Sequence, residues 1–181
     1  MGAVISAGGG SGADSHRSRP PVYSIIALSG TGKTTLIEKL VAELKRRGLR
    51  VAVVKHDAHD FDIDHEGKDS WRFTQAGADV TAIISASKAA MIENRPLTIE
   101  ILLEKITDVD LILTEGYKSG VWPKIAVRRA ATGRPLPIPA EECFAIVSDA
   151  EEQTDASVAP CFRLDDIAGL ADLLQADVAM Q

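Results

Sequence analysis

The run Ile25, Ile26, Ala27, Leu28, Ser29, Gly30, Thr31, Gly32, Lys33, Thr34, Thr35 constrains this chain more than any other stretch. It reads as a buried strand, a tight loop and the first turn of a helix. The phosphate-loop pattern G-x-x-x-x-G-K-[ST] is met by Gly32, Lys33 and Thr34, with Ala27 where the first glycine is expected. Ala27 ends the strand, and a methyl group there is small. Gly30 and Gly32 let the backbone approach an anion, so that the amides from Ser29 to Thr35 can turn inward as a nest. Lys33 is expected on the β- and γ-phosphates and the Thr34 hydroxyl on Mg²⁺. The helix beginning here adds its positive end.

The flanks supply what such a loop requires. Residues 22–28 form a short apolar run with β-branched side chains, suited to a buried parallel strand. Leu36, Ile37, Leu40, Val41 and Leu44 recur at helical spacing, and Lys45, Arg46, Arg47 and Gly48 close the helix. Residues 49–54 read as a second strand, completing a βαβ unit. A plain Gly/Ser turn beside a surface lysine is the alternative, and it does not call for these flanking elements.

With 181 residues, one domain is expected, over 21–181, preceded by a flexible Gly/Ser/Ala-rich tail over 1–20. That tail lacks the apolar core of a signal peptide. A net charge of −6 argues against nucleic-acid binding through a general positive field. No apolar run approaches the ~20 residues of a membrane span. Cys143 and Cys161 are widely spaced, which favours reduced, buried thiols and a cytoplasmic protein.

Residues 55–70 form a long polar segment without period, and loops of that length in compact domains are usually functional or disordered. A short helix is expected over 70–75, strands over 80–85 and 89–92, and a helix opened by Pro96 and Thr98. Further strands are expected over 109–114, 124–127 and 144–147, and a last helix capped by Asp165 or Asp166. Alternating strands and helices predict an α/β fold, a mostly parallel sheet flanked by helices of the P-loop NTPase type.

In such a sheet, ligands bind beyond the carboxyl ends of the strands. Asp110 stands at the start of its strand and Glu115 just past the end, a separation of roughly 17 Å, so both cannot reach one metal ion. Glu115, and Asp57 after the second strand, are the candidates for metal or water positioning; for Glu115 an exposed turn acid is the alternative. His56 and His59 with Asp57, Asp60, Asp62 and Asp64 are open to three readings, a transition-metal site, a solvated acidic loop, or a switch sensing the γ-phosphate and Mg²⁺, and Lys55 adds positive charge near the phosphates. Lys68 adds charge, while Asp69 and Ser70 anchor the loop's exit. Arg128 and Arg129 either contact an anion or end a solvated strand.

Taken together, residues 29–36, Lys55 with His56 and His59, residues 67–70, residues 75–78, and residues 115–118 with Lys124 and Ile125 resemble the molybdopterin-guanine dinucleotide biosynthesis protein B family. The resemblance runs from about residue 22 to the last helix. It implies a weak, often dimeric P-loop GTPase that uses GTP and Mg²⁺ and assists the guanylyltransferase joining GMP to molybdopterin. It puts residues 29–35 on the phosphates, Glu115 near Mg²⁺, and residues 55–59 and 67–70 beside the site. Contact with molybdopterin itself is a further expectation. Tyr117 stands where the family often has Phe, which keeps the ring. No N-K-x-D sequence is present to read guanine; Asp149 beyond the 144–147 strand is either a base-reading carboxylate or a turn aspartate. The sequence puts no arginine in cis as a finger, so turnover of roughly 10⁻⁴ to 10⁻² s⁻¹ is expected. A metallochaperone using the His/Asp loop, a small-molecule kinase using Arg128 and Arg129, and a binding protein without turnover are the rival readings.

Overall fold

Strand β1 (Val22–Ala27) has Tyr23, Ser24, Ile25 and Ile26 out of solvent, as a strand paired on both sides and covered on both faces must. The computed structural model describes residues 19–56, 63–149 and 158–181. Around β1 lie β2 (Val51–Lys55), β5 (Leu111–Glu115), β6 (Lys124–Arg128), β7 (Ala145–Ser148) and the two-residue β8 (Cys161–Phe162), in the order β2-β5-β1-β6-β7-β8. Every pairing in this sheet is parallel. The expected α/β architecture is therefore present. β8 was not anticipated, because two residues carry no period.

Helices α1 (Lys33–Arg46) and α4 (Ile167–Met180) cover one face. Leu36, Ile37, Leu40 and Leu44 meet Leu170, Ala171 and Leu174 over the sheet residues Tyr23, Ile25, Leu113 and Val127. The opposite face carries a smaller cluster, Ile26, Ala126 and Ile138, with Leu136 and Cys143 against it. The segment after β6 supplies Leu136 and Ile138, so a loop is pinned there by apolar burial.

Polar contacts lock the ends. Asp110 accepts from the Arg50 backbone N–H at 2.6 Å and from its guanidinium at 3.1 Å, an anchor at the strand entries remote from the phosphate loop. Arg47 donates to Glu43 at 2.8 Å on its own helix and reaches Asp172 and the Ala168 carbonyl on α4. Asp166 caps α4 through the Gly169 N–H at 3.0 Å. Neither cysteine is in a disulfide, but Cys161 is exposed rather than buried, because β8 is a short edge strand. Burial, then the Glu142 charge, pushes the half-buried Cys143 thiol up to about 11. No described helix is long and apolar enough to cross a membrane.

The residues expected as two further strands do not extend this sheet. β3 (Val80–Ile84) and β4 (Ala89–Glu93) make a separate antiparallel ribbon, with α2 (Asp69–Gln75) against one face. Thr81 is buried there, its hydroxyl 3.1 Å from that of Thr74. Strand alternation puts Val80, Ala82, Ile84, Ala89, Met91 and Glu93 on the other face, where Ile84 is 85 % and Met91 65 % exposed and Glu93 is paired with Arg95 and Lys105.

Leu40 is fully buried between α1 and the sheet, so Leu40→Ala is expected to cost about 2–5 kcal/mol in a urea titration. Hydrogen bonds from Arg46 and Arg47 draw the Glu43 carboxyl down to about 2. A carboxyl lowered by folding stabilises above its ordinary range and loses that contribution as pH falls toward the folded value. Glu43→Gln should therefore show a smaller drop in melting temperature than the parent between pH 4.5 and pH 2.

Candidate functional site

The loop between β1 and α1 folds back on itself through the buried Thr31, whose hydroxyl donates to the Leu28 carbonyl at 2.9 Å. Gly30 at φ 81° and Gly32 at φ 86° are both left-handed, a conformation that a side chain would strain. Gly32 precedes α1 and has no side chain to cap it, so the first amides of the helix are left for a ligand.

Lys33, Thr34 and Glu115 converge. The Thr34 hydroxyl donates to Glu115 Oε1 at 3.1 Å, and Lys33 Nζ lies 3.6 Å from the same oxygen. Glu115 arrives there by register: β1 pairs Ile25 with Glu115, and β2 pairs Lys55 with it. One residue earlier, Thr114 donates to Ser24 Oγ at 2.9 Å, a wholly buried hydroxyl pair that ties β5 to β1. A hydroxyl and a carboxylate side by side are hard oxygen donors of the kind Mg²⁺ takes, and a shift of their mutual hydrogen bond would free both for it.

Beyond Glu115 the chain turns through two left-handed residues, Gly116 at φ 98° and Tyr117 at φ 58°. A non-glycine residue in that region is held by its surroundings. Here the Tyr117 ring sits 4.7 Å from that of His56 and 5.9 Å from that of Trp122. Burial raises the Tyr117 hydroxyl's pKa above its ordinary value. The His56 N–H donates to the Glu115 carbonyl at 3.2 Å, so Lys55, the last residue of β2, and His56 after it stand beside the convergence point.

The other flank of the loop opens into a cavity of about 350 Å³ lined by Thr31, Gly32, Thr35, Lys39, Arg129 and Asp149. Asp149 is thus near the loop, but one carboxylate oxygen already accepts from the Ala130 N–H at 2.6 Å and the other lies 3.8 Å from Arg129 Nε. A larger cavity of about 780 Å³, lined by Arg50, Asp108 and Asp110 among others, lies at the strand entries, away from the loop. Asp57, His59, Asp60 and Asp62 lie outside the described residues. Among the described residues, no group of three or more His, Cys, Asp or Glu is placed to hold a metal ion. Asp64 accepts from the His65 N–H at 2.8 Å, and residues 67–70 lead into α2. Ser29 and Thr35 are exposed at the loop's two ends.

Sequence reading missed Arg134. Its guanidinium donates to the Ser29 carbonyl at 3.1 Å, from a position 105 residues away. No local pattern links the two; only the tight turn signalled by Thr132 and Gly133 was available.

The model of the family described as molybdopterin guanine dinucleotide synthesis protein B matches residues 22–149. The chain is 36 % identical to a molybdopterin-guanine dinucleotide biosynthesis adapter protein of Haemophilus influenzae over 82 % of this chain and 85 % of that one. It is 35 % identical to the adapter protein of Escherichia coli, over 85 % and 91 % respectively. A crystal structure of Bacillus subtilis MobB superposes with a TM-score of 0.69 at 28 % identity, over 86 % of this chain and 96 % of that one.

Proposed function

The chain belongs to the molybdopterin guanine dinucleotide synthesis protein B family, and on that premise we propose that it is a GTP-binding adapter of molybdopterin guanine dinucleotide synthesis that hydrolyses GTP slowly. The observation that carries the nucleotide part is the meeting of Lys33, Thr34 and Glu115 at a loop with two left-handed glycines. The adapter part rests on the relatives, which bear that name. The partner is the guanylyltransferase that attaches GMP to molybdopterin.

The backbone from Ser29 to Thr35 would wrap the phosphates, and Lys33 would neutralise the terminal two. Thr34 and Glu115 would hold Mg²⁺, and Asp57, which lies outside the described residues, is a further candidate ligand. When bound, the ion offsets charge on the β- and γ-phosphate oxygens. Lys55 and His56 stand next to Glu115, where a change at the terminal phosphate would reach the segment after β2. Phosphoryl transfer needs chiefly positioning and charge neutralisation, so this side-chain set suffices for slow turnover.

A homodimer is part of the proposal. A two-stranded ribbon is marginal alone, and one face of this one is apolar and exposed. A second copy would bring an identical face on which the strand residue Glu93 is charged but already paired with Arg95 and Lys105.

Lys33→Ala should abolish tight binding of a fluorescent GTP analogue, and unchanged affinity would remove the site. Single-turnover phosphate release with GTP against ATP, with and without the guanylyltransferase, tests the rest; equal use of ATP would contradict the guanine preference. Ile84→Glu combined with Met91→Glu should convert a dimer to a monomer in light scattering while nucleotide affinity stays unchanged.

A further inference from the structure

We propose that Arg134 is a catalytic arginine supplied in cis, and that Asp149 positions it by pinning the turn that carries it. The inference rests on the GTP-hydrolysis reading above. The segment after β6 is built to hold one side chain at the phosphate loop. At its start, the Asp149 carboxylate accepts from the Ala130 N–H at 2.6 Å and faces Arg129 at 3.8 Å. A single 3₁₀ turn, Ala130–Thr132, follows, and the Thr132 hydroxyl donates to the Arg129 carbonyl at 2.7 Å. Gly133 then reverses the chain at φ 60°, a left-handed turn. Three and five residues beyond it, Leu136 and Ile138 pack into the second-face cluster with Ile26 and Ala126. Arg134 lies between these two anchors, so its Cα is held while its side chain stays exposed.

The guanidinium sits at the Ser29 end of the loop, the end we assign to the terminal phosphate. Ser29 opens the loop, whereas Thr35 and Lys39 line the cavity on the opposite flank. Its present partner is a neutral carbonyl at 3.1 Å, and among the described residues it forms no ion pair. A phosphate oxygen, charged and able to accept two parallel N–H bonds, is the better partner for a planar fork. Arg129 is less suited to this role, because its Nε faces the Asp149 carboxylate.

In the step concerned, a water oxygen bonds to the γ-phosphorus as the bond from that phosphorus to the bridging oxygen breaks. The electron pair of that bond stays on GDP, and the water proton passes to the released phosphate. Charge grows on the bridging and γ-oxygens, and a guanidinium there stabilises it. Intrinsic rates of GTPases with a cis arginine exceed those without one by roughly 10- to 100-fold.

The test uses the full chain. Arg134→Ala should keep GTP affinity within about threefold, lower single-turnover phosphate release by roughly 10- to 100-fold, and lose aluminium-fluoride trapping of GDP. Added guanidinium chloride at millimolar concentration should restore part of the rate, which a purely structural role would not allow. Asp149→Asn should lower release in the same direction, with the double variant no slower than Arg134→Ala alone. The thermal melt of Arg134→Ala should match the parent, since its side chain is exposed, whereas Asp149→Asn loses the charge that holds the Ala130 N–H and should melt somewhat lower. Parent-like release and trapping in Arg134→Ala would overturn the inference and leave the GTPase reading intact. Absence of GTP-dependent release or trapping in the parent protein would instead overturn the hydrolysis reading, and the inference with it.

Discussion

The pairing of β1 with β5 is the constraint from which the rest of the site follows. A parallel pair buried on both faces has few ways to report a register error, because apolar side chains on either strand fit nearly any neighbour. Ser24 and Thr114 remove that freedom. Their hydroxyls meet at 2.9 Å in a region closed to solvent, and a slip of one residue would leave both unpaired. With Ser24 opposite Thr114, Ile25 stands opposite Glu115, and the carboxylate emerges within 3.1 Å of the Thr34 hydroxyl and 3.6 Å of the Lys33 ammonium. One hydroxyl pair thus sets the spacing between the loop after β1 and the end of β5.

The two faces of the sheet divide the work. α1 and α4 bury the larger cluster and are clasped by Arg47, which gives the phosphate loop a rigid floor. The opposite face is closed at Ile26 and Ala126 by a segment rather than a helix, and burying Leu136 and Ile138 is what secures it. That arrangement lets a loop residue, Arg134, reach Ser29 from far along the chain. The β3–β4 ribbon forms a separate sheet, with Ile84 and Met91 exposed on one face. Family membership and the likeness to MobB structures agree with this architecture.

Much of this was legible in the residues. The strand, loop and helix around Gly32 and Lys33 follow from period and punctuation within 25 residues, and the structure reproduces them with boundaries shifted by one or two positions. Asp110 was separated from Glu115 by strand length alone, and it duly ties Arg50 at the far end. Other features had no local signature. Residues 80–84 and 89–93 have strand composition, yet nothing in them says that they pair with each other and not with the main sheet. Cys161 looks like a buried thiol until β8 proves to be a two-residue edge. Asp149 lies by the phosphate loop as its position after β7 suggests, but no local pattern announces that its carboxylate accepts from the Ala130 N–H.

What the sequence determined alone is chemistry that fits within one supersecondary unit: glycines where the backbone must turn left-handed, a lysine and a hydroxyl at a helix start, an acid at a strand end. These are short-range, because each depends on neighbours within a turn or a strand length. What only the tertiary structure decided is which distant residues share that space: Glu115 against Thr34, and Arg134 against Ser29. Those meetings depend on register and on where the loop after β6 is buried, and both are set by packing of the whole sheet, which no window of sequence contains.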